Sequence, residues 1–247
     1  MPGKPMLRLI KLANDVRAFA DSNAERLARR VAEDVASGAP KGTKIPALDS
    51  LLVALGGALA RSVADVESAE ATVDAEAADV PPVIERRDAQ AEKLRARVVR
   101  LRDVLRLAAG PNAVRKAGFL GDTPFDPEAV ARVANTAIAS LKAQPPTLDD
   151  DVKVDLPKLT KGISELAVEL LATIAEVRAE GREVQAARVD RDRKLELAER
   201  QLRGLAMVLE GLCVFAGEEA LGERVRPATR KSAEEPEGDE PEPTPAE

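Results

Sequence analysis

An apolar stripe that occurs twice constrains this chain more than any other feature. Leu48, Leu52, Leu55, Leu59, Val63, Val66 and Val73 each have an apolar counterpart 111 residues later, in Leu159, Ile163, Leu166, Leu170, Ile174, Val177 and Val184. Steps of three and four residues align side chains on one face of an α-helix, whereas a half-buried strand needs strict alternation. A second stripe follows each first one. Leu94, Val98, Val99, Leu101, Val104 and Leu107 match Leu202, Ala206, Met207, Leu209, Leu212 and Phe215 at an offset of 108. Upstream the offset is 103, aligning Glu25, Leu27, Ala28, Arg29, Val35, Ala36 and Ser37 with Glu128, Val130, Ala131, Arg132, Ile138, Ala139 and Ser140. Offsets that hold within helices and change only between them are what a tandem duplication with altered connections leaves behind. Its period, roughly 100 residues, far exceeds that of solenoid repeats.

Proline and glycine divide these stripes. Val80-Pro81-Pro82 interrupts the first pair of stripes, because proline lacks an amide donor and clashes with the preceding turn, so the sequence predicts an antiparallel hairpin of two helices there. In the second copy the corresponding turn is expected near Arg188-Val189-Asp190-Arg191-Asp192, with Asp190 or Asp192 capping the return helix. The alternative there is a single helix of about 60 residues. Ala109-Gly110-Pro111 ends the first return helix. Asp126-Pro127-Glu128 supplies an N-cap, a proline at the first helical position and a first-turn carboxylate, opening a helix that Pro145-Pro146 close.

The expected fold is therefore all-α: two tandem related units, each a shorter helix followed by a long antiparallel helical hairpin, forming an elongated helical bundle with a disordered tail. The divisions are residues 1–21 for an N-terminal amphipathic helix, 22–120 and 121–226 for the two units, and 227–247 for the acidic, Pro-rich tail. Ser22-Asn23-Ala24-Glu25 has the form of a capping box; either a helix restarts there or one long helix passes through. Phe119 and Phe125, in the connector between units, are expected to cap the core. A chain of 247 residues buries enough surface to need no staples. Only 2% of residues are aromatic, all Phe, which favours closely approaching helices.

Charge is distributed unevenly. Residues 232–247 carry seven carboxylates and no base, so the acidity of the chain belongs to the tail and the body is close to neutral. Low apolar content predicts disorder there. The one cysteine, Cys213, permits no internal disulfide and suits a reducing compartment, so a cytoplasmic location is expected. An excess of Arg over Lys with abundant Ala matches a GC-rich, bacterial coding bias. No apolar run reaches the length of a bilayer crossing, and residues 6–20 are too interrupted by charge to be a signal peptide.

Chemistry is mostly excluded by what is missing. With no histidine, no tyrosine, one cysteine and no glycine-rich phosphate loop, the chain lacks the usual nucleophile–base pairs, zinc ligand sets and nucleotide cradles. Asp149, Asp150, Asp151 and Asp155 lack the alternation, central Gly and closing Glu of a calcium loop. Glu165, Glu169, Glu176 and Glu180 read as a solvated helix face. No catalytic residue, metal or cofactor is expected, and the chain is read as a non-enzyme. The leading expectation is a structural or interaction module, a scaffold or adaptor presenting amphipathic helices to a protein partner or to a second copy. The alternative is nucleic-acid association through the basic helix bearing Lys93, Arg95, Arg97, Arg100, Arg102 and Arg106, whose cations could meet phosphates. Against it, the hairpin would lay Asp65, Glu67, Glu70, Asp74, Glu76 and Asp79 beside that helix, and no aromatic for base stacking is evident. A third reading places residues 6–20 on a membrane surface.

Overall fold

The computed structural model describes residues 4–40, 47–148 and 155–225, and every element in it is a helix. They are α1 (Lys4–Gly38), α2 (Leu48–Lys116), α3 (Pro127–Ala143), α4 (Leu156–Phe215) and the single turn α5 (Glu219–Gly222). No described helix is long and apolar enough to cross a membrane. The tail from Arg226 onward, the linker 41–46 and Asp149, Asp150 and Asp151 lie outside the described residues.

The expected hairpins are absent. α2 runs through Pro81 and Pro82 without a turn, and α4 is one helix through Asp190 and Asp192. The reason lies in phase. Val73, Ala77, Val80, Ile84, Arg87, Ala91 and Leu94 are all buried or half-buried, at the same steps of three and four before and after the prolines. A turn would discard that register; a continuous helix keeps it. The prolines themselves are exposed; Pro81 leaves the Ala77 carbonyl and Pro82 the Ala78 carbonyl without a helical donor, Ala77 being half-buried and Ala78 exposed. Water can satisfy the Ala78 carbonyl, which limits part of a penalty of about 3 kcal/mol per proline in a helix interior. In α4 the stripe likewise continues through Val184, Ala187, Arg191, Leu195 and Ala198. Asp190 pairs with Lys194 at 2.7 Å, a helical i,i+4 contact, instead of capping a new helix.

Two compact units emerge, and each takes pieces from both long helices. The first comprises Met1–Val73 with Ala187–Glu247; the second is Asp74–Ala186. The sequence division at 120/121 therefore falls inside the second unit, and the one at 21/22 falls inside α1, which passes through Ser22 as a single helix. Glu25 makes a 2.8 Å bridge to Arg29 one turn on instead of closing a capping box.

In the first unit Met6, Leu9, Ala13, Val16, Ala20, Ala24 and Leu27 repeat at steps of three and four, and all are buried. They pack with Leu52, Leu59 and Val66 of α2 and with Leu202, Leu205, Leu209 and Cys213 of α4. α2 and α4 run antiparallel here: Ser62 donates to Gln201 at 2.7 Å, and Glu70 receives Arg191 at 3.2 Å. Fully burying one such Leu contributes roughly 1.5–3 kcal/mol.

In the second unit Leu94, Val98, Leu101 and Leu105 of α2, Val130, Ala134 and Ile138 of α3, and Ile163, Leu170 and Ile174 of α4 form the core. Asp126 caps α3 by accepting the Ala129 amide at 2.8 Å, with Pro127 in the first turn, as its sequence predicts. Gly110, at φ 76° and ψ 175°, interrupts α2 before a last short stretch from Pro111, so the expected end of the helix there is a break in its path.

Several residues related by the sequence offsets share their burial, whereas others do not: Val35 is 37% exposed and Ile138 5%. Leu52 and Ile163 are both 0% exposed, Val73 and Val184 both 7%, and Leu101 and Leu209 both 0%. Leu27 and Val130, offset by 103, are also both 0%.

Candidate functional site

The six basic residues singled out on α2 do not form one surface. α2 turns about 100° per residue, so Arg97 and Arg100 face one flank while Arg95, Arg102 and Arg106 face another. Arg97 and Arg100 line a groove of about 770 Å³ together with Lys158, Lys161, Asp155 and Glu165 of the α4 N-terminal region. Asp155 is committed to capping, accepting the Lys158 amide at 2.9 Å, and Glu165 sits 4.0 Å from Lys161. Among the described residues Arg97 and Arg100 hold no ion pair. Lys158 and Lys161 were not among the expected site residues. They lie on α4, and only the packing of α4 on α2 brings them to Arg97 and Arg100.

On the other flank Arg102, Arg106 and Arg115 line a cleft of about 490 Å³ with Asp122 and Leu120. Arg102 is held there, donating to the Gly121 carbonyl at 3.3 Å and lying 3.8 Å from Asp122. The Arg95 guanidinium stacks 3.8 Å from the centroid of Phe125. Phe125 is 80% exposed, so it does not cap the core as its partner Phe119 does at 6%. An aromatic ring therefore does stand beside the basic helix, correcting the sequence-based expectation that none would. No signal in a turn-rich connector distinguishes which of two Phe turns inward.

The counter-charge expected from a hairpin is also rearranged. Arg86 bridges to Glu176 of α4, Arg87 to Asp88, and Glu70 to Arg191. Among the described residues Arg102 lies within ion-pair distance of Asp103 and Asp122, neither of them one of the acidic α2 residues expected opposite. Lys93 and Arg106 lie on the exposed side of the helix.

Glu76, Glu180 and Glu183 bring carboxylate oxygens within 4.8 Å of one another. Hard divalent cations take oxygen donors of this kind. Partial burial, followed by the negative charges of Glu183, Asp79, Glu176 and Glu76, pushes the Glu180 carboxyl above its ordinary pKa. The repulsion is intrinsic to the carboxylates themselves.

Leu141, Pro145, Pro146, Leu148, Leu156 and Pro157 line an apolar groove of about 550 Å³ at the α3–α4 connection. Cys213 is buried, and its thiol pKa is raised by burial first and by Glu218 second, with Arg26 opposing. A thiol so placed is a small apolar side chain and a poor nucleophile. The apolar face of residues 6–20, which a membrane-surface role would require, is occupied by the core of the first unit; Leu7 alone among its large apolar side chains is more than half exposed, at 53%.

No protein family, curated protein or solved structure matches this chain.

Proposed function

We propose that this protein is a non-enzymatic helical scaffold or adaptor that presents the outer faces of its long helices to a protein partner or to a second copy. The observation that carries this reading is the set of large apolar side chains left on helix surfaces: Leu107 at 79% exposure, Val168 at 64%, Met207 at 65% and Phe215 at 56%. Scattered exposed apolar residues are ordinary, but Met207 and Phe215 stand with the exposed Val208 and Val214 on one stretch of α4, and contiguous apolar surface marks interaction sites. The reading is tested by affinity capture with the intact chain, together with its molar mass by light scattering. A strict monomer that captures no partner would remove it. A reducing compartment such as the cytoplasm suits the lone thiol.

The same reading includes a tandem duplication of one unit, a shorter helix followed by a long one. What supports it is the shared burial of several residues related by the offsets of 103, 108 and 111. The duplicated unit is then α1–α2 and α3–α4, each with one continuous long helix.

One observation favours a second reading, nucleic-acid association. Arg95 on the exposed Phe125 ring, beside Arg102, Arg106 and Arg115, combines cations for phosphates with an aromatic for bases. Replacing Arg95, Arg102 and Arg106 with Glu and Phe125 with Ala should abolish retention on single-stranded nucleic acid at low salt. Unchanged retention, or none by the parent chain, removes this reading.

A further inference from the structure

The last four turns of α4 are apolar on two sides. Leu202, Leu205, Leu209 and Cys213 face the core of the first unit. On the opposite side of the helix lie Gly204, Met207, Val208, Gly211, Val214 and Phe215, all exposed; Leu197 lies two turns before Gly204, with the exposed Arg200 between them. From Gly204 to Phe215 the only charge is Glu210.

Among the described residues nothing covers this second face. A Cβ added at Gly204 or Gly211 would meet no described atom within 4 Å, so no packing among the described residues calls for either glycine. Each weakens the helix by about 1 kcal/mol relative to Ala. The residues 108 positions earlier supply an internal comparison: Arg100, Asp103 and Arg106 of α2 stand where Val208, Gly211 and Val214 stand on α4. The same arrangement of helices therefore tolerates a charged surface at these positions.

We propose that this face of α4 is a self-association surface, on which a second copy of the chain packs antiparallel about a two-fold axis between Met207 and Val208. The proposal rests on the interaction-module reading and names its partner. Symmetry about that axis sets Gly204 level with Gly211 of the partner subunit, so the two backbones approach closely where side chains are absent. Arg203, bridged to Glu199 at 3.3 Å, lies beside the stripe and outside its apolar line. Antiparallel pairing about a two-fold axis closes as an isologous dimer. Taking roughly 200 Å² for a fully exposed large side chain, Met207, Val208, Val214 and Phe215 together expose on the order of 400 Å² per copy. A pair then removes about 800 Å² of apolar side-chain surface from water, and the flanking backbone and polar rim bring the contact toward the roughly 1,000 Å² at which specific interfaces begin.

The test is the molar mass of the full-length chain by sedimentation equilibrium over a range of concentrations, alone and with Met207→Glu and Val214→Glu combined. The parent should reach twice 26.3 kDa, and the doubly substituted chain should lose the dimer while keeping its helical circular dichroism. In separate chains, oxidised Val208→Cys should form a disulfide-linked dimer near the axis, and Phe215→Cys, several turns from its own mate, should not. This second arm stands even if the doubly substituted chain fails to fold. A parent that remains monomeric overturns the proposal; if it still captures a different protein, the interaction-module reading survives. A dimer that persists after both substitutions, or that cross-links through Phe215→Cys instead of Val208→Cys, overturns the surface or its antiparallel geometry.

Discussion

Glu180 illustrates how much a residue's behaviour depends on neighbours far away in sequence. Its carboxyl pKa is raised above 4.5 by partial burial and then by the charges of Glu183, Asp79, Glu176 and Glu76. A carboxyl whose folded pKa exceeds its unfolded one binds its proton more tightly in the folded chain. Its contribution is fully present below the unfolded value and is lost as pH rises through the folded value. Glu180→Gln should therefore be more stable than the parent at neutral pH, with the gap closing on acidification toward 4.5. Urea titrations across that window check it; a less stable Gln variant at neutral pH would contradict the repulsion. Two glycines give a second contrast at this scale. Gly110 holds φ 76° and ψ 175°, a region essentially reserved for glycine, so Gly110→Ala should cost about 1–3 kcal/mol. Gly181 is helical with open space around it, so Gly181→Ala should gain about 1 kcal/mol. Equal effects at both sites would contradict the assigned backbone.

At the scale of the element, α2 carries an unusual local penalty. Pro81 and Pro82 lie inside it, exposed, with the apolar stripe in phase on either side. Replacing both with Ala should stabilise the protein, by up to about 3 kcal/mol for each proline. Were they the centre of a turn, the same change would be neutral or harmful, and unfolding midpoints separate the two. This is also where the sequence misleads. The stripes themselves were legible: their steps of three and four predict which of Leu52, Leu59, Leu94, Leu101 and Leu209 are buried, and all are. What read as a break was the proline chemistry, a strong local signal. The phase across it, from Val73 through Val80 and Ile84 to Ala91, was equally present in the sequence and outweighs the local signal, because register is held by burial over many turns. The basic surface was half legible. Arg97 and Arg100 could be named from their own helix, but Lys158 and Lys161 join them only through the packing of α4 on α2.

At the scale of the whole molecule, each compact unit draws on both long helices, so the divisions expected from the sequence and the units in space do not coincide. Leu101 and Leu209 lie 108 residues apart, one in each unit's core, and both are fully buried. Each replaced by Ala should cost about 2–5 kcal/mol; a cost below 1 kcal/mol at either would contradict its place in a core. The account as a whole depends on α2 and α4 running without a turn through Pro81-Pro82 and Asp190-Asp192, since each unit draws its core from both helices in that register. A spin-label distance across the proline pair, between Ala75→Cys and Glu92→Cys, tests this most directly. Both positions are exposed and within the second unit, and Cys213 is buried with a raised thiol pKa, so it should escape labelling. A helical path of 17 residues predicts about 26 Å between the backbone positions. A separation within about 15 Å, as two helices packed side by side would give, would restore the hairpin and contradict the account.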